Sequence, residues 1–386
     1  MKKVLLINYS TLCTLGGIQV YNRYLIDILN KNYQCAIDIL IISPSEKAND
    51  KLPSNCHYIY LLQPKNLVNP KLKIAYELIR FIKLRNKFKY FLKNNSYDLI
   101  IDSTWERFHS KFSDNYLLIQ HGILDAISEK IFFQNNKCTL SNLLKEFIRF
   151  FIWRSANKIL TTPTIICFDP KNENIVKQNY PSINTINIPL PSDNNLNQNL
   201  NIFESNNRRS IIYAGRIQNG AKNIASLIKL NKLLNNIIYF YGKPDSKNDE
   251  KYIEEIKSTN NYKGYFSPSN RDEYYKVLRE YKFMILYSRY EGFSFSLVEA
   301  LSQGIPIIVK DTYVSASFLC NSKTGLLLPR NTSLEEDSKI IKEFISKLTS
   351  ESYFKMAQNC LAFYKDNLSF TNFERKWKII LDKYLK

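Results

Sequence analysis

The sequence predicts an α/β fold made of two tandem doubly wound domains that face a central cleft. Short β-branched or apolar segments alternate with longer helical patterns along the 386 residues, as expected for βαβ units and a parallel sheet. The alternation stops in the polar, Asn-rich segment 191–208 and restarts after it. A chain of this length is also expected to form two cores rather than one.

The domain boundaries follow from this pattern. The first domain is predicted over residues 1–190, segment 191–208 is the linker, and the second domain is predicted over 209–366. A last helix over 367–386 has an aromatic side to bury and is a candidate to cross back to the first domain. Further helices are expected near 17–31, 71–94, 139–157 and 170–180, and strands at segments that include KVLLINY, KILTTP, IIYFYG and YKGYFS.

The composition narrows the functional classes. The net charge of +19 favours anionic partners such as nucleic acid, anionic lipid or a phosphorylated substrate. Seven cysteines without a C-x-x-C pair argue against a zinc site or a disulfide framework and for a reducing cytosol. No apolar segment approaches the ~20 residues of a membrane span, and the initial VLLI is better explained as a buried strand than as a signal peptide.

A glycine pair follows the first predicted strand. Gly16 and Gly17 lie between KVLLINYS and the helix IQVYNRYLIDILNK. A strand, a glycine loop and a helix start together present backbone N–H groups that suit a phosphate or another anion. The alternative is a turn that merely needs small residues, and no G-x-G-x-x-G fingerprint is present.

Two cations follow the first strand of the second domain. In SIIYAGRIQNGAK, the strand ends at Gly215, Arg216 follows, and Lys222 opens the next helix. Cations just past the carboxyl end of a strand can neutralise a diphosphate without a metal. The alternative is a pair of solvated surface cations.

Two glutamates flank a helix start in RYEGFSFSLVEALSQGIPIIVKD. A helix beginning near Ser294 has open amides in its first turn, at Ser294, Phe295 and Ser296, and a positive dipole end. Glu291 and Glu299 are eight residues apart, which in a continuous helix corresponds to about 12 Å and a nearly common face. They are therefore candidates to hold separate hydroxyl-bearing parts of one ligand. The alternative is a capping acid and a solvated helix acid.

These residues resemble a known family. The pattern from Glu291-Gly292-Phe293 to Glu299-Ala300 resembles the E-x7-E signature of retaining glycosyltransferases with the GT-B fold, especially family 4. Gly215-Arg216 followed by Lys222 resembles the phosphate-binding element of that family, with a spacing of six where five is usual.

The likeness continues elsewhere in the same chain order. Gly16-Gly17 matches the glycine loop of the family's first domain, and Gln120-His121-Gly122 resembles its histidine position facing the donor. Tyr262-Lys263-Gly264, within YKGYFS and followed by Arg271-Asp272-Glu273, resembles the element that lines the nucleotide base.

The resemblance implies two Rossmann-like domains and a set of site roles. Glu299 would bind the ribose hydroxyls of a nucleotide sugar, and Glu291 would contact the hydroxyls of the donor sugar. Arg216, Lys222 and the amides of the helix start would stabilise the departing diphosphate. His121 would lie near the sugar; its alternative is a satisfied buried side chain.

The implied reaction is front-face transfer with retention, in which the departing phosphate helps to deprotonate the acceptor. A covalent intermediate on Glu291 is the less favoured alternative. The absence of a D-x-D motif fits transfer without a metal, and no cofactor is expected. The donor would be a UDP- or GDP-sugar, and the acceptor a glycan or polyprenol-linked glycan of capsule or lipopolysaccharide synthesis.

Two segments suggest contact with an anionic membrane. Residues 71–93 contain eight Lys or Arg against one acid, Glu77, interleaved with thirteen apolar or aromatic residues, as in a basic interfacial helix. Segment 139–157 has a wide apolar stripe. The alternative for both is an ordinary domain helix. The expected location is cytoplasmic and peripheral, at the inner face of the plasma membrane.

Other functional classes stay open. A nucleic-acid-binding protein would explain the charge, but no helix-turn-helix, RRM or zinc signature is present and the charge is spread over both halves. A GT-B phosphorylase, a sugar-nucleotide epimerase and a non-catalytic partner in a membrane glycan complex are the nearer alternatives.

Overall fold

The computed structural model describes residues 1–13, 16–42, 51–62, 73–104, 115–121, 164–179, 181–192, 209–265 and 271–386. The chain divides into two compact units, which are Met1–Ile188 with Glu374–Lys386, and Pro189–Phe373. Each unit contains a parallel sheet with helices, which confirms the predicted α/β class. The predicted helix 139–157, the predicted strand KILTTP and most of segment 191–208 lie outside the described residues.

The first unit is built on a seven-stranded sheet of order β3-β2-β1-β4-β5-β6-β7, in which neighbouring strands pair in parallel. Its strands are β1 (Lys2–Asn8), β2 (Cys35–Ile41), β3 (Cys56–Tyr60), β4 (Leu99–Asp102), β5 (Tyr116–Ile119), β6 (Thr164–Cys167) and β7 (Asn184–Asn187). Its described helices before the last one are α1 (Gly17–Asn32), α2 (Lys73–Asn94) and α3 (Pro170–Asn179).

The core of this unit follows from continuous apolar strands. Val4 to Ile7 of β1 are fully buried, as expected for a central parallel strand covered on both faces. On α2, Leu84 and Phe88 are one turn apart and pack into the cluster that contains Ile100 and Leu118. This packing fixes one side of α2 against the sheet.

The second unit has a five-stranded sheet of order β12-β11-β10-β8-β9, again with parallel pairs. The strands are β8 (Arg209–Ala214), β9 (Ile238–Tyr241), β10 (Tyr281–Leu286), β11 (Ile307–Lys310) and β12 (Gly325–Leu328). The helices are α4 (Ile224–Leu233), α5 (Glu250–Lys257), α6 (Arg271–Arg279), α7 (Phe295–Ser302), α8 (Ala316–Leu319), α9 (Leu334–Lys347) and α10 (Ser350–Phe363), and α11 (Phe370–Leu385) ends the chain.

The strand order creates a switch point in the second unit. From β8 the chain first adds β9 on one side and then returns to add β10 on the other. The loops that leave β8 and β10 therefore diverge at the carboxyl edge of the sheet, which is where open α/β sheets bind ligands.

One predicted strand is wrong. In the described part of YKGYFS, residues 262–265 form no strand, and Tyr262 makes only an isolated bridge with Phe240. Gly264 has φ +94°, a left-handed conformation that interrupts an extended segment and favours glycine. The segment is a loop beside β9.

Candidate functional site

The loops after β8 and β10 join one cation to one acid. The Nζ of Lys222 donates to Oε1 of Glu291, which also accepts a 2.8 Å hydrogen bond from the Ser288 hydroxyl. The Lys222 and Glu291 side chains are each 13% exposed. Two residues singled out separately from the sequence therefore form a half-buried ion pair at the switch point.

An arginine that sequence reasoning did not single out holds the loop of Lys222. The amide of Arg289 donates to the Ala221 carbonyl at 2.8 Å. Its guanidinium donates to the carbonyls of Asn219 and Gly220, the latter at 2.9 Å. Desolvation lowers the pKa of the Arg289 guanidinium from its ordinary value. Arg289 thus ties the loop after β8 to the loop after β10.

Arg216 pairs with a different acid. Its Nη1 is 3.0 Å from Oδ1 of Asp245, and the side-chain amide of Gln218 donates to the other oxygen of that carboxylate at 3.1 Å. The Arg216 side chain is 58% exposed. The structure therefore joins Lys222 to Glu291, whereas Arg216 is bound to Asp245 at the surface.

Close backbone approach explains Gly242, the residue after β9. A Cβ on Gly242 would lie 1.9 Å from the Gly215 carbonyl oxygen, so only glycine fits there. The amide of Gly242 donates to the Gly264 carbonyl at 2.8 Å, and the Tyr262 hydroxyl donates to the Gly242 carbonyl at 3.0 Å. The Nζ of Lys263 lies 5.3 Å from the centre of the Tyr239 ring. The predicted base-lining residues thus lie next to the predicted phosphate loop.

The predicted helix start is confirmed. Helix α7 begins at Phe295, and Ser294 is its extended N-cap without a side-chain capping bond. The first i to i−4 bond runs from Val298 to Ser294 at 3.2 Å, so the amides of Phe295 and Ser296 precede the helical ladder. Glu291 lies before this helix, and the common-face geometry of a continuous helix does not apply to it.

Two neighbours of Glu291 have roles in packing. Phe293 is 8% exposed, and its ring centre is 6.2 Å from that of Phe318. The Gly292 carbonyl accepts a 3.3 Å hydrogen bond from the Ser315 hydroxyl. These contacts fix the turn between β10 and α7.

Glu299 is buried on the second turn of α7. Its Oε1 accepts a 2.6 Å hydrogen bond from Nη2 of Arg271, at the start of α6. The pKa of the Tyr274 hydroxyl is raised well above its ordinary value, mainly by burial and further by this carboxylate. The carboxylate therefore lies in a preformed polar setting.

The first unit contains the predicted histidine. Nε2 of His121 is 2.5 Å from the Ser103 hydroxyl, which donates to Oδ1 of Asn22 at 2.8 Å. The rings of Tyr21 and Phe168 each lie 5.3 Å from the imidazole. Desolvation lowers the pKa of His121 to about 3, so the imidazole is neutral at neutral pH.

The predicted glycine loop of this unit caps α1. Gly16 is the N-cap, Gly17 is the first helical residue, and the Gly16 carbonyl accepts from the Val20 amide at 3.1 Å. Gly122, which follows His121, lies outside the described residues.

Within the described residues, no group of three or more His, Cys, Asp and Glu side chains lies close enough together to hold a metal ion. No helix there combines the length and apolarity of a membrane span.

Comparison with known proteins gives these features a family context. Residues 197–360 match the family model described as glycosyl transferases group 1. A 114-residue stretch is 30% identical to the UDP-N-acetylglucosamine–peptide N-acetylglucosaminyltransferase GtfA subunit of Streptococcus parasanguinis. That stretch covers 28% of this chain and 22% of the streptococcal protein.

Two solved structures resemble the whole chain. Sucrose-phosphate synthase from Thermosynechococcus elongatus aligns with TM-score 0.72 and 15% identity over 99% of both chains. WaaG, a glycosyltransferase involved in lipopolysaccharide biosynthesis, aligns with TM-score 0.72 and 14% identity over 98% of this chain and 99% of its own. At such identities the likeness shows the fold alone, which is GT-B.

The chain therefore contains a group 1 glycosyltransferase domain within a GT-B fold. This confirms the predicted enzyme class, glycosyltransferase, at the level of that domain. The matched region contains Lys222, Glu291 and Glu299.

Proposed function

We propose that this chain, with its group 1 glycosyltransferase domain, is a retaining family 4 enzyme that transfers a sugar from a nucleotide diphosphate sugar to a glycan or lipid-linked acceptor. The observation that carries the proposal is the Lys222–Glu291 pair at the switch point of the second sheet, within the matched region. In support of the proposal, the pair joins a cation to an acid four residues before the start of α7.

Each side chain has a chemical task in this proposal. Lys222 neutralises charge that develops on the departing diphosphate, and the first amides of α7 donate to the same oxygens. Arg216 turns from Asp245 to the diphosphate when the donor binds. Glu291 accepts hydroxyl groups of the donor sugar, and Glu299 accepts those of the ribose.

The proposed transfer proceeds on one face of the sugar. The bond between the anomeric carbon and the phosphate oxygen breaks while the acceptor oxygen bonds to the same carbon from the same face. The departing phosphate oxygen takes the proton of the acceptor hydroxyl, and the configuration is retained. No metal takes part in this scheme, because Lys222, Arg216 and the helix amides supply the positive charge. The predicted position of His121 beside the sugar stays a prediction.

The decisive experiment measures nucleotide binding before turnover. Calorimetric titration of UDP, GDP and their sugars with EDTA present is expected to show binding of one nucleotide family. UDP is the first candidate, because the streptococcal relative is named for a UDP-sugar. Absence of any binding would overturn the proposal and favour a non-catalytic GT-B partner or a nucleic-acid-binding protein.

Two variants separate donor binding from turnover. Glu299→Ala is expected mainly to weaken nucleotide binding, because the ribose loses its acceptor. Arg216→Ala is expected to lower kcat by roughly 10²–10³-fold through lost charge stabilisation. Wild-type kinetics in both variants would show that the site is assigned wrongly.

For the acceptor we propose a lipid-linked glycan of bacterial surface polysaccharide, capsule or lipopolysaccharide, reached at an anionic membrane. On α2, Leu84 and Phe88 face the core, whereas Ile79 and Ile82 are each 52% exposed and Tyr90 is 72% exposed. Exposed cations accompany these apolar side chains, namely Lys83, Arg85, Lys87, Lys89 and Lys93. Apolar side chains among cations suit the boundary between lipid headgroups and acyl chains.

Vesicle sedimentation tests this peripheral location. The protein is expected to bind vesicles of phosphatidylglycerol and phosphatidylcholine, and to leave them when Ile79 and Tyr90 are changed to Glu. The matched change of Tyr265, which is 63% exposed in the second unit, should leave binding intact. Equal loss in both proteins, or no binding by wild type, would contradict the membrane proposal.

A further inference from the structure

Glu299 has a partner that the family resemblance assigned only to the base-lining element. Arg271, the first residue of α6, donates through Nη2 to Oε1 of Glu299 at 2.6 Å. The same nitrogen donates to the Tyr275 hydroxyl at 2.9 Å. Arg271 is thus bonded both to the proposed ribose acceptor and to its own helix.

Two tyrosine rings lie against this guanidinium. Its Cζ lies 5.5 Å from the ring centre of Tyr274 and 5.1 Å from that of Tyr275. Residues three and four positions apart lie on one side of a helix, so α6 presents all three side chains together. A cation held over aromatic rings is restricted in position, which in turn restricts the carboxylate that it binds.

The Glu299 carboxylate has a second donor on α6. The hydroxyl of Tyr274 bonds to it, and Tyr274 is 7% exposed. The Glu299 side chain is 10% exposed, whereas that of Arg271 is 38% exposed. The carboxylate is therefore fixed from one side by α6, and its oxygens have a defined direction before any ligand arrives.

We propose that Arg271, assisted by Tyr274, is a positioning residue that orients the Glu299 carboxylate and thereby sets the preference of the site for a nucleotide with an intact ribose. This inference rests on the proposed function, in which Glu299 accepts the ribose hydroxyls. Without Arg271 the carboxylate can rotate, and a ribose hydroxyl no longer meets an oxygen at a fixed place.

Calorimetric binding of UDP and 2′-deoxy-UDP, and of GDP and 2′-deoxy-GDP, tests the inference without requiring turnover. Wild type is expected to prefer the ribonucleotide by about 10-fold or more, the value of a hydrogen bond to a charged acceptor. Arg271→Ala should weaken ribonucleotide binding about 10-fold and leave deoxynucleotide binding almost unchanged, so that the preference largely disappears. Arg271→Lys and Tyr274→Phe should each retain part of it.

The same helix offers a matched control. Arg279, at the other end of α6, donates through Nε to the Gln303 side chain at 2.8 Å. Arg279→Ala should leave the ribose preference at its wild-type value. This control separates the loss of any guanidinium on α6 from the loss of the Arg271–Glu299 contact. In steady-state kinetics, Arg271→Ala should raise KM for the donor and leave kcat within about twofold.

The outcomes separate this inference from the proposed function. If wild type prefers the ribonucleotide and Arg271→Ala keeps or increases that preference, the inference is overturned while the donor site stands. An increase would mean that Arg271 competes with the ribose for Glu299. If wild type binds none of the four nucleotides, the proposed function and this inference fall together.

Discussion

Two Lys–carboxylate pairs of the second unit differ in how many hydrogen bonds the lysine ammonium makes within the fold. Nζ of Lys310 donates to Asp337 at 2.6 Å and to the carbonyl and hydroxyl of Thr332 at 3.0 and 2.8 Å. The hydroxyl of Tyr287 also donates to Asp337. Lys222 has a single hydrogen-bond partner within the described residues, Glu291.

The difference separates a pair whose lysine is fully hydrogen-bonded within the fold, Lys310–Asp337, from the candidate site pair, Lys222–Glu291. An ammonium has three N–H donors, and Lys310 uses all of them on partners inside the fold. Its side chain is 6% exposed and that of Asp337 is fully buried. Lys222, at 13% exposure, uses one of its three donors within the described residues, on Glu291. Unused hydrogen-bonding capacity at a switch point indicates function more clearly than charge or burial does.

The largest expected effect concerns stability. Lys310→Met leaves the buried Asp337 carboxylate without its cation, and the free energy of unfolding is expected to fall by about 3–5 kcal/mol. Lys222→Met should cost only about 1 kcal/mol, because Glu291 keeps Ser288 and access to water. Urea denaturation followed by circular dichroism measures both. Equal losses of unfolding free energy in the two variants would show that the two pairs do not differ in this way.

The second effect concerns turnover. Lys222→Met is expected to reduce kcat by roughly 10²–10³-fold, since charge on the leaving diphosphate is less well stabilised. Lys232→Met is the matched control, because Lys232 pairs with Glu255 at the surface of the same unit, at 2.7 Å. Initial rates with the nucleotide sugar selected by the binding experiment give the comparison. If the kcat of Lys222→Met stayed within twofold of wild type, the Lys222–Glu291 pair would have a structural role only, like the Lys310–Asp337 pair.

The smallest effect tests how Lys222 is held. Arg289→Ala is expected to reduce kcat/KM about 10-fold, because the loop of residues 219–222 loses its tie to the turn after β10. Arg289→Lys should recover part of the rate. In a Lys222→Met background, Arg289→Ala should have almost no further effect, as expected for two residues that act through one group. Fully additive losses would show that Arg289 acts by another route.

Local patterns were enough to predict the fold and the start of one helix. Apolar segments between helical patterns indicated the two α/β sheets, and the pattern around Ser294 predicted the start of α7 within one residue. The contacts of Arg271 and Arg289 could not be found in this way. Their partners lie 28 and about 70 positions away in the chain, so no local pattern pairs them.

The wrong strand at YKGYFS and the surface position of Arg216 have the same origin. The left-handed Gly264 and the Asp245 carboxylate are tertiary features, set by the neighbouring loops rather than by the apolar pattern of the segment itself. The order of elements was predictable, whereas the partner of each charged side chain was not.

The burial of Trp377 has a consequence for synthesis. Its indole nitrogen donates to the Tyr21 hydroxyl at 3.1 Å, and Tyr21 packs against His121. The first unit therefore needs Glu374–Lys386, which are translated after the second unit. At elongation rates of about 5–20 residues per second, the intervening segment takes roughly 10–40 s to make. Throughout that interval the nascent chain holds an unfinished first unit, and the surroundings of His121 are completed only after the second unit has been translated.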